Sequence, residues 1–372
     1  MHLLTRLLSI ALLGAASFAC GAAPVMTSQL PPRPQGLPCA DGVVTKDCDM
    51  RSIIRLRGAP LQQMWHAESF QDMDRQLEAL CAVDSRLPDG QPELLVFPST
   101  FYWMFDAWRD WNKVGAQLKK WRTASPDSAA QALVEVMYWE RYAWYGRGGG
   151  YANTVPEPAW ELFRERMAKA SIRLQESKAV AGNCPLWHSL NITNLIESGA
   201  PRAMVDAAYA EAVKAFPASQ QVHFAMAEAL QIRWGGKPGE FERFARQAVK
   251  LSQREEGDGL YARLFWTADC NCDEALTFGR PGDPDWKTMK AGFEDLLKLY
   301  PDEIYNKNKF ASFACRANDR ATYAKLRDEL GDNIVEHLWP GSWKVEVCDR
   351  AMSKSPANVP AREKKLTGTR QT

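Results

Sequence analysis

The chain has 372 residues, with 46 Lys and Arg against 45 Asp and Glu and a net charge of +1. A balance this even, with no long basic block, argues against a nucleic-acid surface or an anionic-membrane surface. The 46 % of apolar residues can bury an ordinary core, in one domain or two.

The first residues read MHLLTRLLSIALLGAASFACGAAP. One cation, Arg6, precedes an apolar run from Leu7 to Ala16, and small residues follow, which is the order of a secretory signal peptide. The expected leader is 1–23, with cleavage after Ala19, Ala22 or Ala23. The apolar run is too short for a comfortable membrane span, and no later segment is long and uncharged enough for one. Cys20 is a candidate lipid anchor, although Ser17 stands where a lipoprotein leader normally carries a leucine-like residue. These features predict an exported protein, periplasmic or secreted, or a lipoprotein.

Nine cysteines are present, and eight remain without Cys20. An even number in an exported chain predicts disulfides rather than free thiols. Cys39 and Cys48 flank a turn-like stretch and suit a local bridge. Cys272 and Cys315 are read as ends of first helices in neighbouring pairs, and are the expected long-range bridge. Cys270 and Cys272 lack redox spacing, and no zinc spacing completes them.

Residues 24–58 read as a proline-rich linker and small N-terminal segment, 59–340 as a helical domain, and 341–372 as a C-terminal segment with a polar, disordered tail. Short strand candidates lie in MRSIIRLRG and ELLVFP. Elsewhere helical periodicity dominates: Trp160, Phe163, Met167, Ala170 and Leu174 form one stripe, and Val205, Ala208, Tyr209, Ala212, Val213 and Phe216 another. Helices are expected at about 61–82, 101–121, 128–145 and 157–177. Helix pairs are expected at about 186–216, 220–252, 259–300 and 303–330. Taking Pro217 as a closing proline places Tyr209 and Ala212 on the aromatic and small positions of a tetratricopeptide repeat. Ala248 matches one repeat later, with Phe244 one residue off, and Leu296 departs from the pattern. The predicted fold is all-α, a degenerate tetratricopeptide-like solenoid of helical hairpins. The 14 tryptophans are expected mainly at helix–helix contacts.

Two glycine-rich stretches punctuate the helices. In GRGGGYANT, Gly148, Gly149 and Gly150 follow a helix and no lysine follows them, which argues against a phosphate loop. Tyr151 stands where a dinucleotide fingerprint needs its third glycine. The stretch is predicted to be a helix end and turn. In RWGGKPGEF, Gly235 or Gly236 is expected to close a helix in the left-handed conformation.

WRTASPDS, YAWYGRGGGYANTV, PEPAWELF and RWGGKPGEFERFA together resemble a bacterial family known as a domain of unknown function, number four thousand and thirty-four. The shared marks are Ala143, Trp144, Arg147, Gly148 and Gly150, then Thr154 and Val155, then Trp234, Gly235 and Gly236. The resemblance spans roughly 60–330 and implies a tetratricopeptide-like helical fold, with no reaction attached to it.

Catalytic signatures are missing. His66, His188, His223 and His337 are far apart, so no metal site is expected, and nothing calls for a cofactor. A nucleophile elbow is absent. Glu255–Glu256 and Asp302–Glu303 read as solvated helix ends. The expected function is protein binding or scaffolding in the cell envelope, with another protein as partner. Trp144, Arg147, Tyr151 and Trp234 are the candidate contacts. The plainer alternative is that both tryptophans pack joints and Arg147 caps a helix. An envelope hydrolase assembled from scattered acidic or histidine residues is the alternative function.

Overall fold

The computed structural model describes residues 45–46, 48–269, 276, 278–280 and 282–353. The expected leader, Cys20, the proline-rich linker, Cys39, Cys270, Cys272 and the tail from 354 lie outside the described residues. Among the described residues there are fifteen α-helices and no strand, so the chain is all-α.

The first six helices are α1 (Met50–His66), α2 (Phe70–Ala82), α3 (Val96–Trp108), α4 (Trp111–Ala124), α5 (Ala129–Arg147) and α6 (Glu157–Ala181). Then come α7 (Pro185–Glu197), α8 (Arg202–Ala215), α9 (Gln220–Ala229) and α10 (Glu240–Glu256). The series ends with α11 (Gly259–Ala268), α12 (Trp286–Leu299), α13 (Ile304–Arg316), α14 (Arg320–Leu330) and α15 (Val345–Ser353).

Both strand candidates are helical. Asp49 caps α1 by accepting from the Ser52 amide at 2.9 Å, and Ile53, Ile54, Leu61 and Trp65 are buried along the helix. ELLVFP instead forms a short 3-10 turn that runs into α3, where Phe97, Phe101, Met104 and Phe105 continue the apolar set at helical steps. Burial on a helical face outweighs the β-preference of a few isoleucines and valines. The helical region therefore begins at Met50, inside the stretch read as linker and N-terminal segment. The helix expected at 101–121 is two: Arg109 takes a positive φ of 51°, and Asp110 caps α4 by accepting from the Lys113 amide at 3.1 Å. The helix expected at 61–82 is likewise broken at Ala67–Ser69, with Glu68 at φ 54°.

The odd-numbered helices α1 to α11 touch in succession and form one layer. The later helices pair as α7 with α8, α9 with α10, α11 with α12 and α13 with α14. Tyr209 and Phe244, on the second helices of neighbouring pairs, meet ring to ring at 5.5 Å, with buried Ala212 and Ala248 near them in sequence.

Two apolar clusters fill the molecule, one from α1 to α7 and one from α7 onward, and Ile304 and Tyr305 pack against both. A loop from the first half is inserted at that junction. The Asp89 carbonyl accepts from Asn306 Nδ2 at 3.0 Å and from Arg263 Nη2. The Gly90 carbonyl accepts from Gln220 Nε2 at 3.3 Å and from Arg86 Nη1 at 3.2 Å. Gln220, Arg263 and Asn306 come from the first helices of three successive pairs. Glu256 completes the network, accepting from Gln220 at 2.8 Å and pairing with Arg263 at 3.2 Å. Gly90 has φ +87°, and a Cβ there would lie 2.3 Å from the Tyr300 ring. This corrects the reading of Glu256 and Glu303 as solvated ends. They are 3 % and 5 % exposed, because each is enclosed by the loop's polar partners or its own helix cap.

Cys81 bonds to Cys184, joining the end of α2 to the start of α7 across 103 residues of chain. Cys315 bonds to Cys348, which corrects the expected Cys272–Cys315 bridge. After α14 the chain doubles back through two 3-10 turns, and α15 packs on α13 and α14, putting the two Cα atoms 5.8 Å apart. Cys48 is disulfide-bonded as well.

Peptide mapping of the unreduced, alkylated protein should recover Cys81–Cys184 and Cys315–Cys348 as linked peptides, and replacing Cys81 and Cys184 by alanine should cost on the order of 3 kcal/mol in denaturant unfolding. Gly90→Ala should also cost on the order of 3 kcal/mol through strain and collision. Gly149→Ala, whose Cβ meets nothing within 4 Å, should cost little by comparison.

Candidate binding site at the glycine turn

The end of α5 is built from AWYGR, and its last two turns carry side chains that meet α6 and α7. Gly148 ends the helix with φ +78°, and its amide closes on the Trp144 carbonyl at 2.8 Å. The chain then crosses Gly149 to Tyr151, makes a 3-10 turn at Ala152–Thr154, and begins α6 after Pro156. Ala143, Phe163 and Met167 form a small apolar cluster under this turn, with Trp144 and Trp160 packed against it.

Arg147 is 4 % exposed. Its guanidinium lies over the Trp144 ring at 5.0 Å and the Trp160 ring at 4.5 Å. Nη1 donates to the Gly148 carbonyl at 2.9 Å and the Gly150 carbonyl at 3.2 Å, so the side chain ties the turn to the helix end. Burial draws its pKa below the ordinary arginine value.

Trp144 also reaches the other way. Its indole Nε1 donates to Glu197 Oε2 at 2.9 Å, at the end of α7. Glu197 in turn feels Glu140 of α5 and Glu228 of α9. Burial, then the Glu197 charge, pushes the Glu140 carboxyl well above the carboxylate range. Glu140 Oε2 accepts from the Tyr102 hydroxyl at 3.1 Å. Burial, reinforced by Glu228 and opposed by the Trp144 hydrogen bond and Arg141, pushes Glu197 up to about 7. Asn194 accepts from the Ser171 hydroxyl at 2.6 Å, and its amide also lies near Glu140, without forming a well-shaped hydrogen bond there. Burial and like charge thus favour the protonated form of both carboxyls.

Trp234 belongs to the same neighbourhood through Glu228, which accepts from its indole Nε1 at 2.5 Å and from Arg233 at 2.9 Å. Gly235 follows in the left-handed conformation, φ +88°, and a Cβ on Gly236 would collide with the Leu230 carbonyl. Of the four sequence candidates, Trp144 and Arg147 touch each other, and Trp234 joins through the Glu197–Glu228 interaction. Tyr151 is 81 % exposed and stands apart from them. Trp160, Glu140, Asn194, Glu197 and Glu228 were not among the candidates. A glutamate inside the apolar run VMYWERYAW was the available signal for Glu140; Glu197 and Glu228 resemble ordinary helix-end residues.

His188 and His223 are core residues: the first lies 2.9 Å from the Gly182 carbonyl, the second between Tyr209 and the Pro217 carbonyl. Among the described residues no three His, Cys, Asp or Glu side chains are placed to hold a metal, and no helix is long and apolar enough to cross a membrane.

Residues 57–184 match the model of a family described as a domain of unknown function (DUF4034), the family that the sequence pattern resembles. The match runs from within α1 to the cysteine that precedes α7 and contains the whole glycine turn with Trp144, Arg147 and Trp160. It stops short of Trp234, so the resemblance expected to reach about 330 holds over a shorter segment. No curated protein and no solved structure matches the chain.

Glu197, with its pKa raised from 4.5 to about 7, binds a proton more tightly in the folded state. Its contribution to stability is therefore full below the unfolded value and is lost as pH rises through about 7. Glu303 is also raised to about 7 and adds to the same trend. Glu197→Gln removes this share, so the melting temperature of the native protein should fall relative to that of the variant between about pH 5 and about pH 8, while the shares of Glu140, Glu303 and the histidines remain in both; calorimetry of both proteins across that range checks it.

Proposed function

We propose that the protein is an exported binding protein of the cell envelope, a degenerate tetratricopeptide-like array that holds an extended segment of a partner protein against α9, α11 and α13. One observation carries this reading: that face already holds a turn of the chain itself, Leu87 to Gln91, closed by the Gly90 amide on the Leu87 carbonyl at 2.8 Å. Gln220, Arg263 and Asn306 hold the main-chain carbonyls of Asp89 and Gly90. Those donors are taken up by the chain's own turn, so a foreign segment is received beside them, in the adjoining cleft.

Beside the gripped loop lies a cleft of about 140 Å³ lined by Gln91, Phe224, Arg263, Trp266, Thr267 and Tyr305. Aromatic and arginine side chains are the types that dominate binding energy at interfaces. The apolar leader and the disulfides are compatible with export. Tyr151 and Trp234 are further contact candidates, on turns at the ends of α5 and α9.

The Glu140–Glu197 pair favours a second reading, an envelope hydrolase that uses one carboxyl as acid and the other as base. Neither residue lines the 140 Å³ cleft or the larger one of about 260 Å³ beside Cys81, Pro185 and Phe216, so binding is the better account.

A photo-crosslinking residue at Thr267 should capture one envelope protein, and the same residue at Ile172 on α6 should not. Trp266→Ala should weaken that partner's binding by about tenfold or more. Equal capture from both positions would count against the inner face. Turnover of an envelope substrate that vanishes in Glu197→Gln would favour the hydrolase.

A further inference from the structure

Arg147 carries more positive charge than its surroundings answer. Nη1 is occupied by two carbonyls of the turn. Nε and Nη2 are both buried and have no hydrogen-bond partner. Among the described residues no carboxylate lies within 4 Å of the guanidinium, and burial alone accounts for its lowered pKa.

Those two nitrogens share one edge of the guanidinium. They form the fork that meets both oxygens of a carboxylate or a phosphate. Arginine cannot discard its proton, so a buried guanidinium without a counter-charge is costly. Trp144 and Trp160 offset part of this cost through their faces, but they lie over the plane and leave the edge unanswered.

A second guanidinium, half-buried, stands nearby. Arg166 of α6 donates to the Tyr142 carbonyl at 2.6 Å and lies over the Tyr142 ring. It too has no carboxylate within 4 Å among the described residues, and a Cβ on Gly146 would sit 2.4 Å from its Nη1. Two cations thus flank the last turn of α5.

The chain wrapping Arg147 lies at the surface. Gly148, Gly149, Gly150, Tyr151, Asn153 and Thr154 are all exposed, and a Cβ on Gly148 or Gly149 would meet nothing within 4 Å.

We propose that the Nε/Nη2 edge of Arg147 is an oxyanion receptor, held flat by Trp144 and Trp160, that takes the two oxygens of a carboxylate or phosphate group when the 148–154 turn lifts. This site is separate from the face of α9, α11 and α13, and its test does not depend on the partner proposed for that face.

The test is NMR of the full mature chain, labelled with ¹⁵N. The Arg147 Nε–H signal is assigned by its loss in Arg147→Lys, and the Gly149 amide, assigned through Gly149→Ala, is a second reporter that needs no Arg147 variant to fold. Inorganic phosphate and succinate are titrated separately at constant ionic strength. The proposal expects both reporters to shift and saturate with at least one anion. Saturation with phosphate alone assigns a phosphate source, with succinate alone a carboxylate source, and with both the shared chemistry. Arg147→Lys keeps the charge but loses the fork, and should weaken the Gly149 response by about tenfold. Reporters that move with neither anion, or only linearly with anion concentration and without saturation, as at an exposed arginine such as Arg164, overturn the site.

Discussion

The carbonyl oxygen of Asp89 accepts from Arg263 and Asn306, and through it the two halves of the molecule meet. Neither apolar cluster spans the whole chain. Besides α7, which contributes to both, they are joined by a loop of the first half whose main chain is held by helices of the second. Buried polar groups of this kind must all be satisfied, because each orphan would cost desolvation energy without return. The carbonyls of Asp89 and Gly90 are answered by Gln220, Arg263 and Asn306, and the Glu256 carboxylate by Gln220 and Arg263, so none of these is a free surface residue. Ile304 and Tyr305 pack against both clusters at the same junction, and His337 lies 3.4 Å from Asp49 and 3.4 Å from Tyr305.

The same junction is the physical basis of the proposed function. The face holds the two adjacent carbonyls of a turn and leaves a cleft beside that turn. Its aromatic neighbours Phe224, Trp266 and Tyr305 add the apolar contact that main-chain hydrogen bonds lack. The glycine turn offers different chemistry: an arginine edge without a partner beside a pair of carboxyls that favour the protonated state. Trp144 connects them, stacking on Arg147 with its face and donating to Glu197 with its edge.

Much of the helical pattern was legible in the sequence. The four later pairs stand close to where apolar stripes and closing prolines put them, since Pro217 and Pro301 stop helices whatever the tertiary contacts. The glycine turn was legible as a turn for a similar local reason. Short apolar runs were misleading: MRSIIRLRG and ELLVFP have no period long enough to separate strand from buried helix. The breaks at Glu68 and Arg109 escaped because non-glycine residues take positive φ there. Long-range partnerships were the least visible. Nothing local tells that Cys315 meets Cys348, that Glu256 is enclosed by a loop more than a hundred residues earlier, or that Glu140 and Glu197 face each other.

The central claim is that α9, α11 and α13 form the face that receives a partner segment. Hydrogen exchange of the full chain, with and without the captured partner, tests it most directly. The account predicts added protection at residues 220–229, 259–268 and 304–316, with α6 unchanged. Protection confined to α6, or none in the three inner helices, would contradict it.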